Sequence, residues 1–104
     1  MRLYVAGPMT GLPELNFPAF HAETARLRAL GHQVVNPAEI NADPTADWLD
    51  CMRADIKQLV DCDGIVLLPG WVGSRGAGIE YTLAISLGLK VRHAGAFDEM
   101  ETTG

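Results

Sequence analysis

Apolar and polar positions along the chain fall into short runs that switch between two periods. Residues 3–6 (Leu3-Tyr4-Val5-Ala6) are continuously apolar and close at Gly7-Pro8, the pattern of a buried strand followed by a turn. Residues 7–16 are rich in Gly and Pro, and a helix is predicted to begin at Asn16, an N-cap residue type, with Pro18 in its first turn. Phe17, Phe20, Leu27 and Leu30 recur at helical spacing, and Gly31 marks the stop. Residues 32–35 read as a second short strand ended by Asn36-Pro37, and residues 38–46 as a loop. A second helix over residues 47–62 carries Leu49, Met52, Ile56 and Leu59 as its buried stripe, with Asp55 on the flank. Gly64-Ile65-Val66-Leu67-Leu68 is apolar throughout, as expected of a strand covered on both faces. After a loop over 69–75, residues 76–87 predict a third helix, Gly88 its end, and 89–92 a fourth strand.

Strands that alternate with helices imply a parallel sheet with right-handed crossovers. The expected fold class is α/β, a small Rossmann- or flavodoxin-like three-layer sandwich with about four parallel strands and helices on both faces. Residues 1–93 make the domain, and 94–104 an acidic, loosely held tail. In such sheets ligands bind outside the carboxyl ends of the strands, where residues 7–11, 36–37 and 69–76 converge.

Composition narrows this picture. A chain of 104 residues, 48% hydrophobic and 20% charged, holds one core, and so small a domain is expected to pair with a second copy as a homodimer. A net charge of −5 with scattered Lys and Arg argues against a nucleic-acid polymer as partner. Cys51 and Cys62 suit free thiols in a reducing compartment, and no apolar stretch is long enough to span a bilayer, so a cytoplasmic location is expected.

The sharpest chemical feature is Ser74-Arg75-Gly76-Ala77-Gly78-Ile79-Glu80. Gly76 and Gly78 let backbone N–H groups at a helix start approach an anion, Ser74 adds a hydroxyl and Arg75 a charge. Glu80 then falls in the first turns of that helix, where the plainer reading has it complementing the helix dipole. The loop is neither a Walker A sequence nor a dinucleotide fingerprint, since Tyr81 stands where Gly or Ala would be required. His21, His32 and His93 lack metal-ligand spacing, and Asp61-Cys62-Asp63 reads as a solvated turn, so neither a metal nor an organic cofactor is expected. Trp71, in the site loop, is a candidate stacking surface for a base, whereas Trp48 reads as a core residue at a helix start.

Tyr4-Val5-Ala6-Gly7-Pro8, Asp55 eight positions before Asp63, and Ser74-x-Gly76-x-Gly78-x-Glu80 together resemble the nucleoside 2-deoxyribosyltransferase superfamily. The last segment is most similar to its 2′-deoxynucleoside 5′-monophosphate N-glycosidases. With Asn36-Pro37-Ala38-Glu39 and Leu68-Pro69-Gly70-Trp71, residues 2–92 resemble a short subgroup often carried by bacteriophages and prophages. The resemblance implies cleavage or transfer at the N-glycosidic bond of a nucleotide or deoxynucleoside, with retention. It makes Glu80 the nucleophile, Asp55 the partner acid and Tyr4 the residue that holds the Glu80 carboxylate. Gly7, Pro8, Met9, Asn36, Trp71, Ser74, Arg75, Gly76 and Gly78 become the substrate-binding set, with Ser74 and the two glycines under a 5′-phosphate. The sequence departs from the pattern in its first loop, where Pro8-Met9-Thr10 replaces the serine and arginine of the nucleotide hydrolases. It also lacks the aspartate that the transferases place near Ser74. A nucleotide sensor or sponge that binds without turnover is the alternative on the same fold.

Overall fold

The computed structural model describes residues 1–94 apart from 42 and 44, so the expected tail lies almost wholly outside the described residues. Four strands form one parallel sheet: β1 (Arg2–Ala6), β2 (Gln33–Val35), β3 (Gly64–Leu67) and β4 (Lys90–His93). Their spatial order is β2-β1-β3-β4, with Tyr4 opposite both Val35 and Ile65. Helix α1 (Phe17–Ala29) joins β1 to β2, a single turn α2 (Pro37–Ile40) and α3 (Trp48–Leu59) join β2 to β3, and α4 (Arg75–Ser86) joins β3 to β4.

Alternation along the central strands divides the core in two. Leu3 and Val5 of β1, with Val66 and Leu68, pack against Phe20 and Leu27 of α1. Tyr4 and Ala6, with Ile65 and Leu67, pack against Leu59 of α3 and Ala77 and Ala84 of α4. The result is the expected Rossmann-like three-layer sandwich. The chain leaves β1 toward β2 on one side and returns to β3 on the other, so the topological switch point lies between the carboxyl ends of β1 and β3.

Several local expectations are corrected. Residues 37–40 form a helical turn where a loop was expected, because Asn36 caps it by accepting from the Ala38 N–H at 2.9 Å and Pro37 presets its first φ. Asn16 does not cap α1 with its side chain: its backbone is left-handed (φ 60°) and its Nδ2 donates to the Pro8 carbonyl at 3.0 Å. Leu49 is 54% exposed, so the inward face of α3 is rotated from the expected stripe and runs through Met52, Asp55 and Leu59. Asp63 accepts from the Arg2 N–H at 2.8 Å, which makes it a link across the sheet rather than a local turn acceptor.

Candidate active site

Over the ends of β1 and β3 lies a cavity of about 660 Å³. Its β1 side is the loop Gly7-Pro8-Met9. Gly7 is required there by packing, since a Cβ would lie 2.7 Å from the Cβ of Leu68. The bond from Asn16 to Pro8 and a run of left-handed backbone at Glu14, Leu15 and Asn16 (φ 52°, 54° and 60°) fold the rest of the loop back, with Leu15 and Phe17 in the cavity wall. Left-handed backbone is costly for such residues, so tertiary contacts must hold this run in place.

The opposite wall is the start of α4. Ser74 is its N-cap, and the Ser74 Oγ accepts from the Ala77 N–H at 3.2 Å. The Gly78 N–H already donates to the Ser74 carbonyl at 2.9 Å. Only the Arg75 and Gly76 amides therefore precede the first bond of the helix and remain for an anion. A Cβ at Gly76 would lie 3.2 Å from Met52 Sδ on the neighbouring helix, a contact that Met52 would have to yield by a few tenths of an ångström to admit. Arg75 stacks its guanidinium 4.6 Å from the centre of the Trp48 ring.

Two carboxyls meet at the floor. Glu80 is 4% exposed and accepts a hydrogen bond at Oε2 from the Tyr4 hydroxyl, which the strand pleat aims at this face of the sheet. Asp55, 6% exposed, accepts from Asn41 Nδ2 at 2.6 Å and lies within reach of the same Tyr4 hydroxyl. Burial pushes the Glu80 carboxyl up to about 8; the Tyr4 bond opposes the rise and the charge of Asp55 adds to it. Burial likewise raises Asp55 to about 6, against the hydrogen bonds from Asn41 and Tyr4. Burial, and then the two carboxylates, hold the Tyr4 phenol well above its ordinary value, so it stays a donor. Such a pair keeps one proton between two carboxyls near neutrality, and can serve as nucleophile and acid at once.

The structure brings Tyr4, Asp55 and Glu80 together beneath Gly7, Pro8, Met9, Ser74, Arg75 and Gly76. Three expected binding residues fall outside the cavity lining. Asn36 is enclosed as the cap of α2, Trp71 packs on Tyr81 with ring centres 4.6 Å apart, and Gly78 faces a separate depression between α3 and α4. Conversely, Trp48, read from sequence as core, lines the cavity together with Cys51 and Met52. Positions 48, 51, 52 and 55 share one helical face, and that spacing was the available signal. Asn41 had no such signal. Among the described residues no group of three His, Cys, Asp or Glu could hold a metal ion, and no helix is long and apolar enough to cross a membrane.

Residues 1–93, spanning every element above, match the family model described as a domain of unknown function, DUF4406. The chain belongs to the DUF4406 family. No curated protein matches this DUF4406 domain. Among solved structures, the 2-deoxyribosyltransferase of the psychrotolerant bacterium Bacillus psychrosaccharolyticus shares its fold, with a TM-score of 0.69 and 21% sequence identity. The likeness covers 89% of the DUF4406 chain and 71% of that enzyme.

Proposed function

We propose that this DUF4406 domain cleaves the N-glycosidic bond of a nucleotide or deoxynucleoside with retention, by way of a glycosyl ester on Glu80. The observation that carries the reading is the buried Tyr4–Glu80–Asp55 constellation at the floor of a cavity large enough for a nucleotide. The shared fold of a 2-deoxyribosyltransferase supports it.

In this reading Glu80 attacks the anomeric carbon as the C–N bond breaks, and the base leaves with the bonding electrons and a proton from Asp55. The Asp55 carboxylate then takes a proton from water, whose oxygen attacks the same carbon and frees Glu80. Ser74, Arg75 and the Arg75 and Gly76 amides receive a 5′-phosphate, and Trp48 and Met52 flank the base. The unit works in the cytoplasm as a homodimer that covers exposed apolar positions such as Leu49 and Ile79, and light scattering showing a monomer at micromolar concentration removes that part.

A binding role without turnover is favoured by one observation: a Glu80 carboxyl titrating at about 8 is largely protonated in the empty site at neutral pH. Incubation with a panel of deoxynucleotides and nucleosides, followed by chromatography for free base, separates the two readings. Base release, and a covalent sugar on the Glu80 peptide with a 2-fluoroarabinosyl analogue, is the expected result. Tight binding with neither product establishes the binder.

A further inference from the structure

We propose that Asn41 is a positioning residue for Asp55, held in place by the single turn α2, and that it selects the Asp55 oxygen that exchanges the proton of the carboxyl pair. The inference deepens the glycosidase reading and rests on it for its catalytic meaning.

A one-turn helix has no stability of its own, yet α2 is fastened at both ends. At its start, the Asn36 Oδ1 accepts from Ala38 N–H at 2.9 Å, and the Asn36 amide also contacts His21 Nδ1 at 3.2 Å. At its end, the Asn41 N–H donates to the Pro37 carbonyl at 2.8 Å. On its flank, Glu39 accepts from Arg28 of α1 through two bonds of 2.8 and 2.9 Å. What this turn delivers to the cavity is Asn41, whose Nδ2 donates to Asp55 Oδ1 at 2.6 Å. Asn36, expected from sequence to touch substrate, acts two steps away through this turn.

The Tyr4 hydroxyl donates to Glu80 and, from within reach of Asp55, also favours the ionised Asp55 carboxylate. Asn41 meanwhile occupies Oδ1 with a donor, which disfavours a proton on that oxygen. A proton on Asp55 therefore belongs on Oδ2, and Asn41 fixes the plane of the carboxyl that presents it. Among the described residues, the other titratable or charged groups around Asp55 are Glu80 from α4, Cys51 on its own helix, and Asp43 and Arg75 in the cavity lining.

The test follows the Asp55 side-chain carboxyl carbon by NMR across pH in the full, isotope-labelled chain. The wild-type midpoint is expected at about 6. Asn41→Ala should raise it by about one unit, and Asn41→Asp, close in shape but lacking the donor and bearing a like charge, by more. An Asp55 midpoint unmoved in either folded variant overturns the proposal. In the base-release assay, Asn41→Ala should lower kcat about tenfold with KM nearly unchanged, whereas a rise in KM alone would make Asn41 a binding residue. If the wild type releases no base, the glycosidase reading falls, and the titration still decides whether Asn41 governs Asp55.

Discussion

Tyr4 and Glu80 stand 76 positions apart in the chain and meet in the core, where the Tyr4 hydroxyl donates to Glu80 Oε2. The bond ties β1 to α4 and favours the ionised carboxylate against burial. Tyr4→Phe keeps the ring packing and removes only the donor. Base release should fall about 10²-fold, the loss typical of one preorganised donor, while the Glu80 midpoint climbs above about 8. A variant with wild-type kcat would make the bond incidental to chemistry.

The pH profile should be a bell. Below about 6 both carboxyls are protonated and above about 8 both are ionised; between them the pair holds one proton, and the reactive form is the minor one with that proton on Asp55 and Glu80 ionised. Initial rates of base release should peak near pH 7 between limbs that belong to the pair and not to either residue. Asp55→Asn should keep ligand binding and lose base release by ~10²–10⁴-fold.

Stability should move the other way from an ordinary acidic domain. The Glu80 carboxyl titrates at about 8 when folded against an ordinary value of 4.5, so the native state holds a proton that the unfolded chain has released. This contribution is fully present below about 4.5 and is lost as pH rises toward about 8. Glu80→Gln has no proton to lose. Calorimetry should show a thermal midpoint at pH 8 several degrees above wild type, in a protein that releases no base. Equal midpoints for the two proteins at pH 5 and at pH 8 would contradict the buried, protonated glutamic acid.

Two glycines in one motif should behave oppositely. Gly76→Ala pushes a methyl toward Met52 Sδ at 3.2 Å and narrows the approach to the free amides, so nucleotide affinity should drop with a small stability loss. A Cβ at Gly78 would meet nothing within 4 Å, and its amide is already bonded. Gly78→Ala should therefore stabilise the helix by ~0.5–1 kcal/mol and leave affinity unchanged. Paired calorimetry and titration of both variants with a deoxynucleotide check this.

That contrast shows where the sequence stops speaking. Buried strands such as 64–67 are legible because continuous apolar runs flanked by turns have few other readings. Glu80 is legible because a glycine-rich helix start places it. Gly76 and Gly78 look alike in sequence, and the approach of Met52 and the bonding of the Gly78 amide tell them apart. The α3 stripe is misread because its cavity face mixes Trp48, Cys51, Met52 and Asp55, while Leu49 imitates a core position and is exposed. Asn41 is invisible to periodicity, since its role exists only where α2 meets α3.

The sheet order also governs how the molecule is made. β1 precedes both of its neighbours in the chain, yet on one edge it pairs with β3, Leu3 opposite Gly64, about sixty residues later. Until that partner emerges, Leu3 and Tyr4 have only β2 beside them in the sheet, and nothing in the nascent chain can close the cavity floor. The carboxyl pair is assembled only when the start of α4 reaches Tyr4, so its titration is a signature that no incomplete chain ending before Glu80 can carry. For this protein, a raised carboxyl titration reports that β1 and the start of α4 have come together.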